Sequence, residues 1–277
     1  MHLDYSFATL WPFALGLLFS GLCAGVLAGL LGVGGGIVVV PVLYHVFTAL
    51  GIDQSVRMKI AVATSFAVIL PTAIRSLRSH AERGAVDFAL LRSWAPPVFI
   101  FTLIGTVLAG FASSQVLTGI FASAALIVAA HLAFGREEWR IGKELPKGAG
   151  KYALAGSIGG ISAVMGIGGG TFAVPAMTLY GYPIHKAVAT SSGLGIIISV
   201  PGIIGYIISG WHHPNLPPLS LGYVNLLGFL LITPTTVLTA PLGVRLAHAL
   251  PRKRLIQAFA LFLALTSIKM FMGLFKG

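Results

Sequence analysis

The stretches GLLGVGGGIVVVP at 29–41 and AVMGIGGGTFAVP at 163–175 decide how this chain is read. Each sets a glycine knot, Gly32-Val33-Gly34-Gly35-Gly36 in one and Gly166-Ile167-Gly168-Gly169-Gly170 in the other, directly before a short apolar run that holds a proline. Glycine at this density breaks a helix, because it enters backbone conformations closed to other residues and brings no side chain to hold a helical turn. Shifting 25–41 by 134 positions lays it on 159–175 with seven of 17 residues identical, Gly25 with Gly159, Val40 with Val174 and Pro41 with Pro175 among them. The match resumes at Ala61-Val62-Ala63-Thr64-Ser65 against Ala187-Val188-Ala189-Thr190-Ser191, at Pro71 against Pro201, and at Gly105, Leu108 and Ala109 against Gly243, Leu246 and Ala247. The chain carries an internal repeat.

Its solvent is lipid. Hydrophobic residues make up 56% of the 277 and charged residues 9%, with a mean hydropathy of +0.93, whereas a soluble domain carries about 25% charged residues. Apolar segments lie at 12–31, 37–50, 59–77, 93–112, 115–134, 151–165, 171–182, 186–209, 220–241 and 254–275. Those that follow the knots hold 14 and 12 residues. As helices they reach about 21 and 18 Å, short of a hydrocarbon core of about 30 Å, so neither spans alone. Cys23 is the single cysteine, which excludes an intramolecular disulfide; it reads as a packing residue of the first apolar run. The first helix is expected to be retained, since MHLDYSFATLWPF lacks a basic leader region and Leu22 is the wrong residue before a lipidated Cys23.

The 18 Lys and Arg against 7 Asp and Glu report orientation rather than nucleic acid, because they sit mainly in short loops. If each knot tips a hairpin that returns to its own side, Arg78, Arg83, Arg92, Arg136, Arg140, Lys143, Lys147, Lys151, Lys186, Arg245 and Arg252 to Arg254 collect on one side. Continuous spans would divide them almost evenly. The hairpin reading makes the basic side cytoplasmic and puts both termini outside. Three spans after each hairpin then turn the second half upside down. The expected fold is an all-α polytopic membrane protein of two inverted repeats, each a glycine-tipped re-entrant helical hairpin plus three transmembrane helices. The first repeat is 1–135 (hairpin 12–50, helices 59–134), the cytoplasmic connector 136–150, and the second repeat 151–277 (hairpin 151–182, helices 186–275). Together they form one membrane transport domain.

Irregular backbone at membrane depth must be buried in protein or line a watery cavity. Two hairpins entering from opposite faces would bring Gly34, Gly35 and Gly36 near Gly168, Gly169 and Gly170, with the N-termini of the short helices aimed inward. Free N–H groups and positive dipole ends gather there, which suits an anion. Thr171 adds a hydroxyl, and Thr64, Ser65, Thr190, Ser191 and Ser192 fall near the starts of the helices that follow. The plainer alternatives are that the glycines only permit close helix packing and that the hydroxyls bond their own helix. Arg75 is placed to attract an anion or to snorkel to the headgroups; Lys269 reads as snorkelling. No metal or cofactor is expected, His212-His213-Pro214 reads as a loop, and His131 as a buried, hydrogen-bonded histidine. All seven acids fall in termini or loops, which argues against a carboxylate proton relay.

The two knot sequences and the two AVATS runs resemble the sulfite exporter TauE/SafE family of membrane permeases, over nearly the whole chain. The resemblance implies a bacterial inner-membrane transporter of sulfite, an organosulfonate such as sulfoacetate, or a related organic anion, with the glycine and AVATS segments around the substrate. A channel-like anion pathway and an uptake permease for another small anion remain open as alternatives. An intramembrane serine hydrolase using Ser191 or Ser192 is remote, because only His131 and His185 have a suitable depth to supply the base.

Overall fold

The computed structural model describes residues 7–31, 35–134, 139–249 and 252–275. Gly32, Val33 and Gly34 of the first knot, Asp4, and Arg136, Glu137 and Glu138 of the connector lie outside them. Among the described residues the chain forms α1 (Phe7–Leu31), α2 (Gly36–Ala49), α3 (Gln54–Ala81), α4 (Phe88–Phe111), α5 (Ser114–Phe134), α6 (Gly148–Met165), α7 (Gly170–Leu179), α8 (Ile184–Gly210), α9 (Leu226–Ala249) and α10 (Arg252–Leu274). A two-residue pair, β1 (Ser220–Leu221) and β2 (Val224–Asn225), precedes α9. This is an all-α polytopic membrane protein. By length and composition α3, α4, α5, α8 and the Leu226–Leu246 part of α9 can each cross a bilayer. Ile104 and Leu108 of α4, Ile127 of α5, Ile208 of α8 and Leu238 of α9 are exposed, while Thr64, Ser65, Thr72 and Thr190 are buried. Apolar side chains outside and hydroxyls inside are what a lipid solvent selects.

Several helices outrun their apolar segments because capped polar turns extend them. Asp53 accepts from the Ser55 N–H at 2.8 Å at the head of α3, and Asp87 from the Leu90 N–H at 2.9 Å at the head of α4. The largest inward move is at a helix start. The segment expected from 220 becomes helical only at Leu226, because the chain first turns through Gly222 (φ 55°) between β1 and β2. Asn225 then caps α9 by accepting from the Gly228 N–H at 2.8 Å.

Helix directions follow from close approaches. Gly21, Gly25 and Gly29 of α1 abut Thr235, Thr239 and Ala240 of α9 in order, so these helices run parallel; Gly156 and Ala163 of α6 abut Phe101 and Gly105 of α4 in the same way. The matched glycines Gly25/Gly159 and Gly105/Gly243 thus serve two equivalent helix contacts, the close-packing role glycine plays outside the knots. α3 and α8 cross antiparallel: Phe66 lies against Gly202, Ala73 against Gly195, and the Ser76 and Ser192 hydroxyls meet at 3.1 Å. A pseudo-two-fold operation that exchanges α3 with an antiparallel α8 has its axis perpendicular to the helices, which is the inverted arrangement. Mid-height therefore lies near Pro71 and Ile197.

Both knots bring the chain back to that level. α1 passes mid-height, and Gly29 near its end abuts Ala240 and Val244; the Val244 carbonyl accepts from Arg83, just past the end of α3, at 3.2 Å. Gly35 has returned to the Ala24 carbonyl, and Gly36 lies against Ile69 and Ser65. α6 passes mid-height the other way, ending with Gly166 against Val62, and Gly169 has returned to Leu194 and Ile198. The re-entrant hairpins therefore have unequal arms. In each a long helix overshoots, and the short helix, beginning at Gly36 or Gly170, starts at mid-height and leaves by the side from which the long one entered. The α1 start and the α10 end share one end of the bundle; Arg78, Arg83, Arg140, Lys143, Lys147 and Lys186 share the other.

Candidate functional site

The knots meet. A methyl group on Gly36 would lie 2.7 Å from the Gly166 carbonyl oxygen, and Ser65 donates its hydroxyl to that same oxygen at 2.8 Å. Ser65 of the first AVATS run thus ties α3 to the second knot. The glycines are required for different reasons. Gly35 has φ 77° and Gly166 has φ 67°, the left-handed region that side chains disfavour. Gly169, the counterpart of Gly35, has an ordinary φ of −54°; its constraint is space, since a methyl there would lie 2.8 Å from Leu194 Cβ.

α2 and α7 start at this junction and point away from it, so the N–H groups of their first turns face the middle of the protein; those of Val38 and Thr171 donate to the Gly35 and Gly168 carbonyls at 3.0 and 3.4 Å. Thr171, the second residue of α7, is 4% exposed, and its Oγ1 has no partner among the described residues. A buried unpaired hydroxyl is costly unless something occupies it. Helix N-termini with an orphan hydroxyl make a seat for a small anion. Gly168 and Gly170 belong to the same turn; Gly34 lies outside the described residues.

The other hydroxyls of the AVATS runs are placed differently. Thr64 Oγ1 accepts from the Asn225 N–H at 2.9 Å, and Thr190 Oγ1 from the Asp87 N–H at 3.0 Å. In each repeat, then, the AVATS threonine holds the residue that caps a helix of the opposite half: Thr64 holds Asn225 for α9, and Thr190 holds Asp87 for α4. Ser191 and Ser192 donate back to the Val188 carbonyl at 2.9 and 3.2 Å, and Ser192 also meets Ser76. Arg75 is exposed, beyond mid-height on the basic half of α3.

At the basic end Tyr182, in the loop after α7, donates to Asp87 Oδ2 at 2.8 Å. The Leu90 N–H and then this phenol hold the Asp87 carboxyl below the usual carboxylate range, while burial and then Asp87 push the phenol up. Sequence reading missed this cluster, although an Asp followed by a helix three residues from an N–H partner is the ordinary capping signal. It also missed Lys59, which is 9% exposed and donates to the Gly110 carbonyl at 2.9 Å near the α4 terminus.

Comparison with known proteins agrees with this architecture. Residues 17–270 match the family described as Sulfite exporter TauE/SafE. A "Probable membrane transporter protein" of Haemophilus influenzae is 34% identical over 268 residues, covering 95% of this chain and all of that protein. Proteins of the same description from Methanocaldococcus jannaschii and Bacillus subtilis are each 28% identical, covering 99% and 94% of this chain and 98% of their own length. A duplicated glycine knot at mid-height, the family match and relatives described as transporters along their whole length lead to one conclusion: this chain is a membrane transporter belonging to the sulfite exporter TauE/SafE family.

Proposed function

We propose that this transporter moves a small anion, with sulfite, an organosulfonate such as sulfoacetate, or a related sulfur-containing organic anion as the substrate class, and that it works as an exporter. The observation that carries the reading is the junction of the two knots, where α2 and α7 begin beside the unpaired Thr171 hydroxyl. An anion there would be held by backbone N–H groups and helix dipoles without a buried cation. The binding set is Gly34, Gly35, Gly36, Gly168, Gly169, Gly170 and Thr171, with Ser65 fixing the knot from behind. Residues 1–135 and 151–277 act as the two repeats, joined by 136–150. The basic end faces the cytoplasm of a bacterial inner membrane and both termini face outward, by the preference of Lys and Arg for the cytoplasmic side.

Export of one negative charge from a cell with a negative interior gains about 2.3 kcal/mol per 100 mV, so the membrane potential alone can drive it. The test is flux in proteoliposomes loaded with sulfite, sulfoacetate, thiosulfate or chloride, with and without an imposed potential. Potential-driven movement of a sulfur anion that chloride does not match supports the proposal. Absence of flux for every anion overturns it.

A further inference from the structure

The pseudo-symmetry makes one difference between the two ends visible. The shift of 126 that carries Ala61 onto Ala187 also carries Phe66 onto Ser192 and Ser76 onto Gly202. The Ser76–Ser192 pair and the Gly202–Phe66 pair are therefore the same contact, one turn or more to either side of mid-height, built from different chemistry. On the basic side the two hydroxyls meet at 3.1 Å, and a second pair crosses between the halves where Thr72 donates to Thr236 at 2.8 Å. All four residues are at most 2% exposed. On the other side Phe66 packs at a tilt against Tyr206 with ring centroids 6.1 Å apart, Tyr206 meets Tyr223 edge-on at 6.4 Å, and Tyr223 meets His213 at 5.8 Å. The counterpart of Thr72 there is Ile198, fully buried.

We propose that the hydroxyl seam of Thr72, Ser76, Ser192 and Thr236 is the gate through which the anion passes between the knots and the basic end, and that the Phe66–Tyr206–Tyr223 stack closes the other end in the resting protein. Water or an anion replaces the partner of each seam hydroxyl when the helices part, so the seam opens with its hydrogen bonds re-made. The aromatic stack has no such substitute, because parting it puts apolar rings into water. The resting protein therefore opens toward the basic end. Once open, the seam presents hydroxyl donors along the route to the knot. This inference rests on the transport reading, but its test does not need the substrate.

In a Cys23→Ser background, Ser76→Cys and Ser192→Cys are treated with a membrane-impermeant thiol reagent from either side of sealed vesicles. Lys147→Cys, whose side chain is 86% exposed at the basic end, and Asn215→Cys, exposed at the other end, report which side the reagent reaches. The expected result is labelling of positions 76 and 192 only from the side that labels position 147, at a rate at least tenfold above that from the other side. Adding Phe66→Ala should make both positions reachable from the side of position 215 as well. Failure to label from the basic side, or equal labelling from both sides before Phe66 is changed, overturns the gate. Side-selective labelling together with no flux of any anion would sink the transport reading and leave the gate standing; flux with positions 76 and 192 unreachable would do the reverse.

Discussion

Gly36→Ala tests the junction of the knots most directly, since it adds one methyl group between backbone atoms of the two halves. That methyl would stand 2.7 Å from the Gly166 carbonyl oxygen, 2.5 Å from Ile69 Cδ1 and 3.0 Å from Ser65 Oγ. A carbon packs against a carbonyl oxygen at about 3.3 Å or more, so the knots must part by about half an ångström. Overpacking of this kind costs about 1–3 kcal/mol. Ser65→Ala removes the hydrogen bond to the same oxygen, and hydrogen bonds within membrane proteins average about 0.6 kcal/mol. The two changes share one partner, so they should not add. Removing Oγ frees room for the methyl and leaves no bond for it to break. The double variant is expected to be more stable than the sum of the singles by about 0.5 kcal/mol or more, the coupling that contacting residues show. Thermal unfolding of the purified protein in detergent measures the cycle, with flux measured in parallel. Gly36→Ala alone should reduce flux at least tenfold. Gly119→Ala, whose nearest neighbour would be 3.8 Å away, should change neither. Additive effects, or a Gly36→Ala protein that matches the parent in stability and flux, would refute the claim that the knots touch here.

Thr64→Val and Thr190→Val keep shape but remove the acceptor for the buried Asn225 N–H and the half-buried Asp87 N–H, so each should lower stability, the first by about 1–3 kcal/mol and the second by less, read as a drop in thermal midpoint. Thr64→Val should chiefly loosen the start of α9 and Thr190→Val the start of α4, which amide exchange separates. Asp87 gives a pH dependence. Its folded value is depressed, so its contribution to stability is present above the unfolded value of about 3.9 and is lost as pH falls through the folded value. Asp87→Asn keeps the cap acceptor, as Asn225 does in the other repeat, and should unfold more easily than the parent at pH 7, with the gap closing below pH 4; a gap that persists unchanged to pH 3 would contradict this.

Much of the fold was legible because lipid leaves few options: apolar length marks the spans, and only glycine clusters interrupt them. The repeat, the re-entrant turns and the shared side of the basic loops followed from that, and the meeting of the knots followed from the inversion. What stayed hidden depends on partners far away in sequence. Nothing in AVATS says that Thr64 accepts from Asn225, 161 residues on, or that Thr190 accepts from Asp87; periodicity marks a hydroxyl near a site without saying which groups it faces. The unequal arms were legible in part, because the segments at 12–31 and 151–165 end where α1 and α6 end; the level at which the short helices start was not, since distant contacts such as Gly36 with Ser65 and Gly169 with Leu194 set it. The break at Gly222 and the cap at Asn225 left a local signal that an apolar count from 220 passes over.

The unequal ends bear on how an inverted repeat can favour one direction. Perfect inversion would make the two open forms equal in energy, and the sequence departs from it at the α3–α8 crossing. Parting Ser76 from Ser192 and Thr72 from Thr236 forgoes about 0.5–1.5 kcal/mol for each net hydrogen bond. Parting Phe66 from Tyr206 uncovers up to about 150–250 Å² per ring, or about 4–6 kcal/mol each at roughly 25 cal/mol per Å². Even half of that exposure favours opening at the basic end by several kcal/mol, a population ratio well above tenfold. A protein biased in this way opens more readily toward its basic end, and opening of the aromatic end becomes the slow step. In the proposed orientation, with the basic end in the cytoplasm, the potential that drives an anion outward acts on the loaded protein at that step, which is where a carrier with this asymmetry most needs a driving force.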